Sequence, residues 1–435
     1  MEPFQLTASE AARQIAQGAL SSERLVKSLA ERIEARDLAV KAWIDADIEG
    51  AVRTARKLDK LTPTCPLHGI PFGVKDVFDT AEMPTTYNSA AFFDHRPTRD
   101  ASCVSIARKK GAILLGKTDT VEFAAGGRRA VTRHPENPNH TPGGSSSGSA
   151  AAVADFQVPW AIGTQTGGSL IRPASFCGVY AFKPTLGTVG RDGLRYFSNL
   201  DAVGWYGRSA ADLSLIAQAY GLAESRSPEV PLDKTLTVGI CRSPFWDRIT
   251  ADGNKAFEEA VRRLEKANVR LVDFDLPSPF EALAVAQDNI MRGESKAAFY
   301  DLYLELGEAL HDDFRAMYTK GGVSSSQMLE AYDLADESRP RFSRLLKERG
   351  VDLLLTPAAT GEAPKGLSNT GDPIFNVMWS VLHVPCVAMP CSRGINNLPI
   401  GVQLVSGRFA DSSLLRQSTA LARLIDIEAL RLPIS

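Results

Sequence analysis

Residues 141–152 read TPGGSSSGSAAA and continue, without a charged side chain before Asp155, through VADFQVPWAIGTQTGGS to Ser169. Four serines and three glycines in the first twelve residues are the composition of a flexible linker. The material that follows contradicts that reading. AAAVADFQVPWAIGTQTGGS is apolar enough for a domain interior, and a free linker does not run directly into buried chain. The stretch therefore reads as a structured loop entering a helix of small residues, followed by a strand, VPWAI, that feeds a second glycine-rich turn.

Outward from this point the sequence keeps the same texture. Short apolar runs punctuated by Gly and Pro appear in GIPFGVKDVFD, AILLGKTD, TLTVGIC, VRLVDFD, VDLLLTP, VPCVAMP and LPIGVQLV. They alternate with helical stretches such as NKAFEEAVRRLEKA and DSSLLRQSTALARLI, the pattern of buried strands in an α/β sheet. We expect a single α/β/α domain over residues 1–435, with a large, mostly parallel mixed β-sheet covered by helices on both faces. Residues 1–60 read as a helical lead-in, with a Thr7–Glu10 capping box, a helix closed at Gly18, and Leu25, Leu29 and Ile33 on one face. Residues 66–220 form the expected core, and the mostly helical stretch from about 279 to 347 reads as an insertion forming a wall of the pocket.

Composition narrows the function. The chain has 435 residues, 44% hydrophobic and 23% charged, with 49 Lys and Arg against 51 Asp and Glu. A net charge of −2 argues against a general nucleic-acid binder. The N-terminal MEPFQLTASEAARQIAQG lacks the basic-then-apolar order of a signal peptide, and no apolar run is long enough to span a membrane. A cytoplasmic protein is expected. Six cysteines without CxxC spacing read as reduced thiols, and six histidines without HExxH or similar spacing predict no metal site and no cofactor.

Three segments carry chemistry. In HGIPFGVKDVFDT, Lys75 lies within an apolar run, where desolvation would lower its pKa toward that of a usable base; a strand-end lysine reaching solvent is the alternative. GGSSSG contains G-x-S-x-G with Ser146 at its centre, but a nucleophile elbow needs a buried strand before it. The preceding TRHPENPNHTP is polar and holds three prolines, so that reading is rejected. In GTQTGGSLIRPASFCG, a strand end leads into Gly163–Ser169, whose successive amides can form a nest for an oxyanion. The Gly-Lys-Ser/Thr ending of a phosphate loop is missing.

Lysine in GVKD, then Ser145 in GGSSSGSAA, then Ser169 in GTQTGGS, the serines 24 residues apart, resemble the amidase signature family in order and spacing. The similarity continues through SFCGVYAFKPTLG, TGDPIFNVMW, VPCVAMP and LPIGVQLV. It implies a Ser-cisSer-Lys triad: Ser169 as nucleophile, Ser145 as bridging serine on a cis peptide, Lys75 as terminal base. The amides of Thr166, Gly167, Gly168 and Ser169 would then form the oxyanion hole. Gln165 stands where many relatives have aspartate. Arg172 comes third after the nucleophile; this GGS-x-I-R-P form is similar to the malonamidase-type bacterial branch, which implies an arginine holding a substrate carboxylate. A structural arginine paired with internal carboxylate or carbonyl groups is the alternative.

The function expected from the resemblance is an amidase that cleaves small linear amides through an acyl-enzyme. The expected partners are a small-molecule amide and a second copy of the chain in a homodimer, without nucleic acid or membrane. Two other readings stand beside it: an amidotransferase subunit supplying ammonia to a partner, and a non-catalytic scaffold of the same fold.

Overall fold

The small-residue run that resembles a linker is wholly enclosed: residues 141–166 are buried without interruption. The computed structural model describes residues 2–223, 235–319 and 322–426. Helix Ser147–Ala154, SGSAAAVA, has no amphipathic face because every side of it is covered. It packs on four strands, and small side chains are what permit such close approach. Gly148 shows how close: a Cβ there would lie 2.3 Å from the Ala42 carbonyl oxygen and 2.4 Å from the Asp119 amide nitrogen.

The sheet has eleven strands among the described residues: β1 (Trp43–Ala46), β2 (Pro71–Lys75), β3 (Ile113–Thr118), β4 (Trp160–Gln165), β5 (Tyr180–Lys183), β6 (Ala202–Gly207), β7 (Thr237–Ile240), β8 (Arg270–Asp273), β9 (Leu353–Pro357), β10 (Cys386–Arg393) and β11 (Pro399–Val405). Their spatial order is β1-β3-β2-β4-β6-β5-β10-β11-β9-β7-β8. Helices cover both faces, and the core includes the wholly buried Phe72, Trp160, Phe182 and Trp205. The Phe72 and Trp160 rings stack at 4.8 Å across β2 and β4.

Two expectations need correction. The sheet is mixed, as expected, but not mostly parallel: only β2 with β3 and β4, and β9 with β7 and β7 with β8, pair in parallel. Every other neighbouring pair is antiparallel. A strand buried on both faces reads as the same apolar run in either direction, so direction is not written in it. Second, residues 1–60 are not helical throughout. Helices Ala8–Ala16, Ser22–Val40 and Ile48–Leu58 are interrupted by β1, a half-exposed edge strand without the apolar run of the central ones. Residues 279–347 hold helices Leu283–Leu306, Asp312–Thr319 and Ser325–Glu348, with residues 320 and 321 outside the described residues.

Strands β2 and β4 lie side by side in parallel, with Phe72 opposite Trp160 and Val74 opposite Ile162. Their carboxyl ends therefore meet, and β4's other neighbour, β6, runs antiparallel. Such carboxyl ends are where open α/β sheets place their chemistry.

Candidate active site

Lys75, the last residue of β2, is completely buried. Its Nζ donates to Ser145 Oγ at 2.7 Å and to Thr164 Oγ1, on the adjoining strand, at 2.6 Å. Burial pushes the ammonium down to about 7, against the opposing pull of the Asp201 charge. Of the two sequence alternatives for this lysine, the structure has the enclosed one.

The four serines of the opening stretch have four different environments. Ser147 Oγ donates to the Gly143 carbonyl at 2.7 Å, and Ser149 Oγ to the Ile162 carbonyl at 3.0 Å. Ser146 Oγ bonds both the carbonyl and the amide of Thr164, at 3.2 Å each, and is fully buried. A hydroxyl so committed is not available for attack, in agreement with rejection of the elbow. Ser145 alone meets an amine. It follows a cis Gly144–Ser145 peptide and is 5% exposed.

Ser169 is half-buried. Its carbonyl accepts from the Ser146 amide at 3.4 Å and from Tyr206 Oη at 3.3 Å, so the two serine-bearing turns lie side by side. No hydrogen bond joins the Ser145 and Ser169 hydroxyls. Catalytic hydrogen bonds commonly tighten only around substrate.

The turn carrying Ser169 is clamped from three directions. Gln165 Oε1 accepts from the amides of Leu170 at 3.1 Å and Ile171 at 3.0 Å. Ser380 Oγ donates to the Gly167 carbonyl at 3.0 Å, and Thr166 Oγ1 donates to Asp201. The Gln165 and Thr166 side chains and the Gly167, Gly168 and Ser169 carbonyls are thus engaged, while the amides of Thr166, Gly167, Gly168 and Ser169 donate to no group among the described residues. Gln165 serves as acceptor for two amides and, at 3.4 Å, as donor to Ser380, a pair of roles an ionised aspartate could not combine.

Arg172 stands in the first turn of helix Ile171–Cys177 and is 4% exposed. One nitrogen, Nη2, donates to the Gly144 carbonyl at 2.6 Å and to Thr370 Oγ1 at 3.0 Å. Nε and Nη1 are buried without a partner, as is Asn376 Oδ1 nearby. A Cβ on Gly168 would meet Asn376 Oδ1 at 2.5 Å and Arg172 Nη1 at 3.1 Å, so only glycine fits between them. Burial lowers the guanidinium to about 10. A cleft of about 790 Å³, lined in part by Asn369, Gly371 and Asp372, lies along the segment that contacts Arg172 and contains no triad residue.

Sequence reading thus brought Lys75, Ser145, Ser169, Arg172 and the turn amides to one place. It missed Thr164 and Asp201, and it placed Asn376, in TGDPIFNVMW, on the pocket wall without a role. Thr164 was in plain view within GTQTGGS, but a threonine in a strand carries no signal beyond β-branching. Asp201 reaches the turn from 35 residues away. Among the described residues no cluster of His, Cys, Asp or Glu could hold a metal ion, and no helix is long and apolar enough to cross a membrane.

Residues 24–415 match the Amidase family. The chain belongs to the amidase signature family. It is 31% identical to a glutamyl-tRNA(Gln) amidotransferase subunit of Lachnospira eligens, over 97% of this chain and 98% of that one. Among solved structures it is similar to the peptide amidase of Stenotrophomonas maltophilia, at 25% identity and a TM-score of 0.82, covering 97% of each chain. It is also similar to the corresponding glutamyl-tRNA(Gln) amidotransferase subunit of Thermotoga maritima, at 25% identity and a TM-score of 0.77, over 97% of this chain and 95% of that one. This amidase signature protein is therefore an enzyme of carbon–nitrogen bond chemistry, within a group that includes hydrolases and amidotransferase subunits.

Proposed function

We propose that the enzyme cleaves a small linear amide through an acyl-enzyme on Ser169. Neutral Lys75 accepts the Ser145 proton while Ser145 takes that of Ser169, and Ser169 Oγ attacks the amide carbonyl. The amides of Thr166 to Ser169 receive the oxyanion, a contribution of about 3–4 kcal/mol per donor to the barrier. Collapse breaks the carbon–nitrogen bond and returns the proton to the departing ammonia or amine. Water then hydrolyses the ester over the same relay. The observation carrying this reading is the enclosed Lys75, bonded to two hydroxyls and, among the described residues, to no carboxylate.

The substrate part of the proposal is a carboxylate-bearing amide held by Arg172. A structural role accounts for Nη2, on Gly144 and Thr370. It does not account for Nε and Nη1, which together with the absence of an ion-pair partner among the described residues leave a buried cation half-satisfied. A substrate carboxylate would supply an acceptor for one of these two nitrogens, which share no edge of the guanidinium. The likeness to amidotransferase subunits favours a second reading, in which the ammonia passes to a partner protein rather than to solvent. Such a role also starts from an amide bearing a carboxylate, glutamine. A cytoplasmic location, consistent with six free thiols, and a homodimeric assembly of the hydrolase belong to the proposal.

Ammonia release by the chain alone, from neutral amides and from dicarboxylate half-amides, tests these readings together. Ser169→Ala should reduce turnover by more than about 10³-fold without unfolding the protein, and a phosphonate adduct should map to Ser169. Arg172→Ala should lower kcat/KM for the acidic amides by about one to two orders of magnitude and for neutral ones little. Equal losses on both would make Arg172 structural. Turnover appearing only with a co-purified second protein would decide for the amidotransferase.

A further inference from the structure

Asp201 immediately precedes β6 and is buried. Its carboxylate accepts from Thr166 Oγ1 and, at 3.0 Å, from the Phe197 amide. No lysine or arginine forms an ion pair with it among the described residues. The charged groups that act on it are Lys75 and Arg191, and Arg191 spends its Nη1 on the backbone carbonyls of Ser198 and Asp201, at 2.8 and 3.2 Å. From the side of Lys75, Ser145 and Thr164 are the bonded neighbours and Asp201 the one charge that acts through space. A buried carboxylate without a cation in contact is costly, and here the bonds from Thr166 and Phe197 offset part of that cost.

We infer that Asp201 is a positioning residue for the reaction: through Thr166 it fixes the turn that carries the oxyanion amides and Ser169, and its negative charge acts on the Lys75 amine in the same enclosure. The geometry supplies the tie and brings the partners of base and carboxylate to one strand end. Thr164, which bonds Lys75, and Thr166, which bonds Asp201, flank Gln165 at the end of β4, where Gln165 pairs with Ala202. One carboxylate thus holds the turn, and its charge acts on the base bonded two residues away at Thr164. Burial raises Asp201 to about 6, so the charge is present above that pH, the range in which Lys75 gives up its proton.

The inference rests on Lys75 being the base, and the experiment separates the two. Kinetics of ammonia release from one amide substrate are followed against pH for the full chain, Lys75→Ala, Asp201→Asn and Thr166→Val, with folding checked by circular dichroism. Loss of the Asp201 charge removes an interaction that favours the protonated amine. The acid limb of kcat/KM in Asp201→Asn should therefore move to lower pH, by about one unit. Thr166→Val keeps the charge and breaks the tie; kcat should fall about tenfold while the acid limb stays in place. A folded Asp201→Asn protein whose limb does not move overturns the electrostatic half, and a Thr166→Val protein of unchanged kcat overturns the positioning half. Should Asp201→Asn fail to fold, Asp201→Glu takes its place, with the limb held near its original position and kcat reduced; full kcat there overturns the inference. A Lys75→Ala enzyme with the parent profile would instead defeat the underlying reading of the base.

Discussion

Lys75 and Lys117 occupy similar places and have opposite surroundings. Both lie at or near the carboxyl end of adjacent parallel strands, β2 and β3, and both are wholly buried. Lys117 Nζ sits 3.0 Å from Asp76 Oδ1 and donates to the carbonyls of Phe78 and Pro84, at 2.8 and 3.2 Å, and to Thr85 Oγ1 at 2.7 Å. Lys183, a third buried lysine at the end of β5, likewise donates to carbonyls, of Pro184 and Val384. Carbonyls and carboxylates only accept, so those two side chains are held as donors. The partners of Lys75 are hydroxyls, which can accept from an ammonium or donate to a neutral amine. An amine able to change protonation without losing its partners is what a proton relay requires; burial alone does not distinguish a base from a strut.

The largest expected difference is in what each lysine's removal destroys. Lys75→Met should lower kcat/KM by about 10²–10⁴-fold without lowering the thermal midpoint, since no buried charge loses a contact partner. Lys117→Met should do the reverse, stranding Asp76 in the interior at a cost of about 3–5 kcal/mol. Denaturant unfolding should recover part of that loss in the Lys117→Met/Asp76→Asn double variant. A Lys117→Met enzyme that is stable but inactive would erase the contrast.

A second contrast lies in pH dependence. With Lys75 lowered to about 7, kcat/KM should rise as pH passes through that value and level off above it. Stability carries the same signature. Between the folded value near 7 and the unfolded value of 10.5, the unfolded chain holds a proton that the folded chain has released. Stability therefore rises with pH across that window and is lost as pH falls toward 7. Lys75→Met should flatten this slope, measured by unfolding at several alkaline pH values, and should abolish the kinetic limb. An unflattened slope would place the titrating group elsewhere.

What the sequence disclosed and what it withheld follow from the same comparison. Ser145, Ser169 and the turn amides are legible because the glycines and serines that shape their loops are neighbours in the chain. Lys75 and Lys117 stand in closely similar contexts, GVKD and GKTD, and nothing local separates them. Adjacent strand residues face opposite sides of a sheet, so Asp76 turns away from Lys75 and meets Lys117 across the β2–β3 pair. The partner that decides each lysine's chemistry therefore comes from another strand. Strands β5 and β6 went unread although β5 is no shorter than β7 and β8, and β6 no shorter than β4, which were read. Asp201 reaches the site from beyond the motifs, where a lone Asp carries no local mark.

The smallest effect is the most selective test of the contrast. Thr164 Oγ1 is the second hydroxyl on Lys75, and it lies in β4, where valine has nearly the same shape and the strand pairing is made by the backbone. Thr164→Val should leave the Lys75–Ser145 hydrogen bond and remove one neutral partner, a change of about 0.5–1.5 kcal/mol, or roughly two- to twelvefold in kcat. If Thr164 steadies the ammonium more than the neutral amine, its loss also moves the acid limb to lower pH, because the protonated state loses an acceptor. Thr85→Val, beside Lys117, removes a hydroxyl of the same kind from an amine that keeps its carboxylate and carbonyls. That variant should alter stability by a similar amount and leave the pH profile where it was. Profiles that shift together in both variants would mean that the two lysines share one electrostatic environment and that hydroxyl partners do not mark the base.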